Sequence, residues 1–195
     1  LRIADNGEIL IKAKAVMTGY LHEPDKSAET LVDGWIHTGD KGDIDEDGFL
    51  KITGRVKEIF KGAKGKYVAP LPIESRFSAH KDLDQMCLVG NGLPQTVLLV
   101  QLSDIGKGSD RESLEAELSR VTVEVNAELD SHTRIACVIV SGQDWSSENG
   151  LITHTMKIKR AALEKHYAAL AEKAFSSGAS VKTPLVMFED DQLSG

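Results

Sequence analysis

The sequence predicts an α+β protein: a small β subdomain followed by a compact domain of mixed helix and strand. Two observations predict this. Residues 1–54 are short apolar stretches separated by turn clusters such as Asp5-Asn6-Gly7 and Asp45-Glu46-Asp47-Gly48. From residue 57 onward, strand-sized apolar runs alternate with helical periodicity, clearest at Leu114, Leu118, Val121 and Val125.

The elements follow in order. Residues 8–16 nearly alternate after the Asp5-Asn6-Gly7 turn and read as a strand. Pro24 to Leu31 reads as a short helix with proline near its start. Trp35–Thr38 is a short strand, and Gly42–Ile44 and Phe49–Thr53 flank a hairpin turn. Glu58–Lys61 and Lys66–Ala69 are short strands around a Gly/Lys loop. Pro70 and Pro72 precede a helix from Ile73 to about His80, and strands follow near 85–90 and 96–102. A long helix runs from Asp110 to about Leu129, capped by Ser109 or Asp110. A strand at 134–141, a polar loop from Gly142 to Gly150 and a last helix from about Ile158 to Phe175 complete the pattern. The final twenty residues show little pattern and are expected to be partly disordered.

Bulk properties exclude several function classes. The chain has 195 residues, of which 41% are hydrophobic and 27% charged, a globular composition. No apolar run approaches the roughly 20 residues of a membrane helix. A net charge of −7 argues against nucleic acid as a partner. Two local basic clusters, Lys57, Lys61, Lys64, Lys66 and Lys157, Lys159, Arg160, point instead to a small polyanion or to solvated surface lysines. Cys87 and Cys137 sit inside apolar runs, which predicts buried free thiols and a cytoplasmic protein. The chain opens on Leu1 and enters a strand pattern at once, so it is expected to be a fragment of a longer polypeptide.

Some motifs fail on inspection. Asp43-Ile44-Asp45-Glu46-Asp47-Gly48 matches the first half of a calcium loop, but the twelfth position, which should be a bidentate Glu, is Gly54. Lys61-Gly62-Ala63-Lys64-Gly65-Lys66 lacks the glycine spacing and the hydroxyl of a Walker loop. The histidines and cysteines form no nucleophile–base pair, and no metal site is expected.

Three segments matter as an ordered set: Thr38-Gly39-Asp40, Gly54-Arg55-Val56-Lys57-Glu58 and Thr153-His154-Thr155-Met156-Lys157-Ile158-Lys159-Arg160. With Asp33-Gly34-Trp35-Ile36-His37 before them and Lys64-Gly65-Lys66-Tyr67-Val68-Ala69-Pro70 between them, the chain resembles the C-terminal part of adenylate-forming (AMP-binding) enzymes. The Lys-Gly-Lys-Tyr-Val-Ala-Pro form is most similar to long-chain fatty acyl-CoA synthetases. The similarity covers roughly residues 7–75 and 148–175.

The resemblance implies an organisation and a chemistry. Residues 1–56 would end a large N-terminal adenylation core, 57–175 would form a mobile lid domain, and 176–195 a tail. The parent enzyme would be an acid–thiol ligase that uses ATP, Mg2+ and coenzyme A to activate a long-chain fatty acid. Lys157 would be catalytic, bridging the acyl carboxylate and the α-phosphate as a mobile point charge. Asp40 and Arg55 would bind the nucleotide, and Lys57 would be the hinge about which the lid turns between half-reactions. Gly65 would let the pantetheine arm pass, with Lys64 and Lys66 meeting coenzyme A phosphates.

The sequence departs from the family at His154, where proline is usual, at Met156, often glycine, and in lacking a Gly-Gly pair after Arg55. The family's Ser/Thr/Gly-rich phosphate loop and its Tyr-Gly-x-Thr-Glu segment are not in these residues. The fragment alone is therefore expected to be inactive and to hold no tightly bound cofactor. Fatty acid, ATP and coenzyme A would be met through the missing core, which also leaves peripheral membrane association open. Two alternatives remain: a fatty acyl-AMP ligase delivering to a carrier protein, and a nonenzymatic binding module that reuses the lid fold.

Overall fold

The computed structural model describes residues 1–192, Asp191 and Gln192 in backbone only. The last three positions of the expected tail, 193–195, lie outside the described residues. The chain divides into two compact units, Leu1–Ile59 and Phe60–Gly195.

The first unit is a five-stranded sheet with one helix. Its elements are β1 (Arg2–Ile3), β2 (Glu8–Ile11), α1 (Pro24–Thr30), β3 (Leu31–Val32), β4 (Trp35–Ile44) and β5 (Leu50–Arg55), then a 3-10 turn at Val56–Glu58. The strands run in the order β1-β2-β4-β3, with β5 pairing antiparallel to the far half of β4. The sequence suggested two short strands where the structure has the single β4, because Gly39 takes a φ of +74° and lets the strand bulge without ending. The Asp45–Gly48 turn is present: Asp45 Oδ1 accepts from the N–H groups of Asp47 (3.1 Å) and Phe49 (2.8 Å).

The second unit begins with a small hairpin, β6 (Phe60–Lys61) and β7 (Tyr67–Val68), followed by α2 (Pro70–Glu74). Pro70 and Pro72 lie inside α2 rather than ahead of it, in the first turn, where a missing N–H costs little. A four-stranded sheet follows, made of β8 (Leu83–Val89), β9 (Thr96–Leu102), β10 (Ile135–Val140) and β11 (Leu185–Phe188). Its order is β11-β10-β9-β8, with β8 antiparallel to β9 and the other pairs parallel. The intervening helices are α3 (Asp104–Lys107), α4 (Arg111–Glu128), α5 (Arg160–His166) and α6 (Ala168–Ser176).

The sheet is covered on both faces. Leu88, Leu98 and Val138 face Ile73 of α2 and Leu114 and Leu118 of α4, while Val89, Val97 and Cys137 face Leu163 of α5 and Leu170 of α6. Burial on both sides explains why β10 reads as the continuous apolar run Ile135–Val140. Asp110 is the N-cap of α4, its side chain accepting from Ser113 N–H at 3.0 Å. Near the other end, the buried Asn126 side chain donates to Ile135 O and accepts from Ile135 N–H, both at 2.8 Å. It thereby satisfies the first residue of β10 as a neighbouring strand would.

Three further expectations need correction: the helix expected from Ile73 to about His80 is α2, which already ends at Glu74, and two more concern the C-terminal part. The last helix is not continuous: it starts at Arg160 and breaks at Tyr167. Ile158 is held by a bridge to Ile152, and the buried Tyr167 hydroxyl is committed to Ser141 Oγ at 2.6 Å. The stretch from 176 onward is not patternless either. β11 pairs in parallel with β10 from Cys137↔Leu185 to Val140↔Phe188, and Glu189–Gln192 form a 3-10 turn.

Candidate functional site

In the first unit, the Thr-Gly-Asp stretch is an irregularity that aims a carboxylate. Between β2 and β4 the register moves from Glu8↔Lys41 to Leu10↔His37, so two steps on β2 match four on β4. The extra residues fall at 38–40. Such a bulge leaves ladder donors and acceptors without backbone partners, and side chains take them up. Thr38 Oγ1 donates to Ile9 O at 2.7 Å and accepts from Asp40 N–H at 3.1 Å. The Gly39 N–H donates to Glu8 Oε1 at 2.9 Å. A Cβ on Gly39 would meet nothing within 4 Å, so the backbone angle and not crowding calls for glycine.

Asp40 and Arg55 face each other across β4 and β5, and Arg55 Nε donates to Asp40 Oδ1 at 2.8 Å. This bond and the carboxylate's charge raise the guanidinium pKa above its ordinary value. Asp40 Oδ2 makes no hydrogen bond among the described residues. Both sides of the pair are partly exposed. Arg55, Thr38, Gly39 and Lys57 border a cleft of about 570 Å³ within this unit. Lys57 is exposed, lies in the 3-10 turn and stands two residues before the unit ends at Ile59.

In the second unit, the Lys157 segment is a tight loop closed at its base. The isolated Ile152–Ile158 bridge closes it, Thr153 N–H donates to Lys157 O at 2.8 Å, and Lys157 N–H donates to Thr153 Oγ1 at 3.0 Å. Met156 has a φ of +61°, a left-handed angle that disfavours side chains other than glycine, asparagine and aspartate. Lys157 is exposed, and its ammonium makes no hydrogen bond or ion pair among the described residues. A lysine so presented is free to reach an anion.

Arg160, three residues on, behaves otherwise. Its Nη1 donates to Glu74 Oε1 at 2.7 Å and to Leu88 O at 2.5 Å, and Glu74 Oε1 also accepts from Leu88 N–H at 2.7 Å. Both partners are mostly buried. The basic cluster read at 157–160 is therefore split: Arg160 turns inward and fastens the loop to α2 and β8.

The Gly/Lys hairpin is pinned as well. Ala63 N–H donates to Leu93 O and Gly92 N–H to Lys61 O, at 3.0 and 2.9 Å. Lys64, Gly65 and Lys66 are exposed at its tip, and Gly65 has a φ of +75°. That angle gives the turn its own need for glycine.

Sequence reasoning missed Glu8, Glu74 and the inward role of Arg160. A charged residue on a strand is ordinarily assigned to the solvent face, and Glu74 and Arg160 are too far apart in the chain for any local pattern to pair them. Among the described residues no group of three or more His, Cys, Asp or Glu side chains is arranged to hold a metal ion. No helix among them is long and apolar enough to cross a membrane. Cys87 and Cys137 are buried thiols outside any disulfide, and burial pushes the Cys137 thiol up to about 12.

The class of protein follows from the comparisons: the chain is of the adenylate-forming class. A family model described as the AMP-binding enzyme C-terminal domain matches residues 58–179. The chain is 32% identical over 193 residues to the long-chain-fatty-acid–CoA ligase FadD15 of Mycobacterium tuberculosis, covering 90% of this chain and 32% of that one. It is 34% identical over 194 residues to long-chain-fatty-acid–CoA ligase 5 of Rattus norvegicus, covering 90% and 28%. Among solved structures, the adenylation domain of a carboxylate reductase from Mycobacterium chelonae superposes with a TM-score of 0.73 at 25% identity, over 87% of this chain and 28% of that one. The chain belongs to the AMP-binding enzyme family and contains its C-terminal domain. It spans less than a third of the length of these curated relatives, 32% and 28%.

Proposed function

We propose that this chain is the C-terminal part of a long-chain fatty acid–CoA ligase. The observation that carries the reading is the unpaired Lys157 ammonium on a closed loop. In the first half-reaction a fatty carboxylate oxygen attacks the α-phosphorus of ATP, the bond to pyrophosphate breaks, and acyl-AMP forms. Two anions approach each other, and Lys157 supplies the positive charge between them. Asp40 and Arg55 hold the nucleotide, with Asp40 Oδ2 available to a ribose hydroxyl. In the second half-reaction the coenzyme A sulfur attacks the acyl carbon and AMP leaves. Lys64, Gly65 and Lys66 form the coenzyme A side of the lid, and Lys57 is the hinge, an exposed residue close to where the two units divide.

Several features support dependence on a larger core. Among the described residues the first unit buries only Ile9 and Leu10 as hydrophobic side chains, while Leu21 and Phe49 are 84% and 71% exposed. The triphosphate loop is absent from the sequence, so the 195 residues alone are inactive in adenylation. Mg2+ would travel with the triphosphate. Among the described residues no group of three or more His, Cys, Asp or Glu side chains is arranged to hold it. We keep a second reading beside it, an acyl-AMP ligase that delivers to a carrier protein, since the fold is shared with the adenylation domain of a carboxylate reductase and is not confined to CoA ligases. Release of free acyl-CoA by the ligase that contains this chain separates the two.

The test of the main reading is Lys157→Ala in that ligase. Acyl-AMP formation, followed by pyrophosphate exchange, should fall roughly 100-fold or more. Thioester formation from supplied acyl-AMP should be far less affected. Equal losses in both steps would remove Lys157 from the assigned role.

A further inference from the structure

Resting on the reading of Asp40 as a ribose contact, we propose that Glu8 is the positioning residue that holds this carboxylate for the nucleotide. Glu8 is an unusual occupant of its site. It is 8% exposed, on a strand whose next two residues, Ile9 and Leu10, form the unit's small core. Burying a carboxylate is costly unless its oxygens are met by donors. Both are met, one by a donor in the bulge and one by the residue just before it. Oε1 accepts from Gly39 N–H and Oε2 pairs with His37 Nδ1, each at 2.9 Å.

These two contacts bracket Thr38. His37 lies on one side of it and Gly39 on the other, and Thr38 itself is tied to Ile9 O at 2.7 Å. Three consecutive residues, His37 and the first two of the bulge, are thus fixed by β2. What it presents next is Asp40, whose Oδ1 lies 2.8 Å from Arg55 Nε. Glu8 and His37 also border the cleft that Thr38, Gly39 and Arg55 line. A simple filler of the bulge would need one acceptor. The carboxylate supplies two, directed to opposite ends of the segment whose angle aims Asp40.

The experiment compares Glu8→Ala, Glu8→Gln, His37→Ala and Asp40→Ala in the full-length ligase, reading KM for ATP and kcat of adenylation by pyrophosphate exchange. Glu8→Ala should raise KM for ATP roughly tenfold, the scale of one lost charge-assisted hydrogen bond, while kcat changes much less. Glu8→Gln keeps an acceptor for Gly39 N–H and should recover most of that loss. If Asp40→Ala raises KM but Glu8→Ala does not, the positioning role is overturned and the ribose assignment stands. If Asp40→Ala leaves KM unchanged, the ribose assignment fails and this proposal fails with it. Should Glu8→Ala not fold, as judged by circular dichroism, His37→Ala decides. That variant frees one carboxylate oxygen and leaves the Gly39 bond intact, so a raised KM supports the role and an unchanged one overturns it.

Discussion

Met156 precedes the proposed catalytic lysine and sits at a φ of +61°. An L-residue with a side chain costs about 1–2 kcal/mol in that region, and a β-branched one more. Glycine would remove the strain but add freedom to the open loop, and these contributions are of similar size and opposite sign. Met156→Gly should therefore leave amide exchange at Thr153 and Met156 nearly unchanged, whereas Met156→Val should speed it roughly tenfold. Faster exchange in the glycine variant would mean that the loop depends on Met156 packing and not on its backbone angle. At this scale the sequence was partly legible. The sequence showed Met156 standing where the family often has glycine, but the left-handed angle behind that preference came only with the structure. Glu8 was not legible, because its partners at 37 and 39 come from a different strand and its burial contradicts its charge.

At the scale of elements, legibility followed the range of the determining interactions. The period of α4 and the Asp45–Gly48 turn depend on neighbours in the chain, and both were read correctly. The break at Tyr167 depends on Ser141 and Glu189, which lie far away in sequence. That cluster carries a pH dependence. Burial alone would raise the Glu189 pKa, but the Gly142 N–H at 2.8 Å, His166 and the Tyr167 hydroxyl outweigh it, and the net shift is downward. A carboxylate with a folded pKa below its unfolded value stabilises the fold above the unfolded value, near 4.3, and loses that contribution as pH falls through the folded one. The melting temperature should thus decline as pH drops below about 4.3, and Glu189→Gln should flatten that decline. Identical pH profiles for the two proteins would show that the cluster does not couple to folding.

For the whole molecule, the buried Arg160–Glu74 pair ties the start of α5 to α2 and β8 within the second unit. Glu74 ends α2, which follows the Gly/Lys hairpin, and Arg160 follows the Lys157 loop. The two loops assigned to the two half-reactions are therefore mounted on a common base. The strand β11 has a different consequence, which concerns solubility. The family match ends at residue 179, yet the sheet is complete only at Phe188. Remove everything after 179 and the outer edge of β10 is uncovered. That edge is Ile135-Ala136-Cys137-Val138-Ile139-Val140, uncharged, without proline and rich in β-branched residues. Such a strand with open backbone donors and acceptors is a template for cross-β self-association. A protein truncated after Ala179 should form thioflavin-positive aggregates under conditions that leave the full chain monodisperse by light scattering. The short strand at the end of the chain is, in this sense, a gatekeeper against amyloid-like pairing.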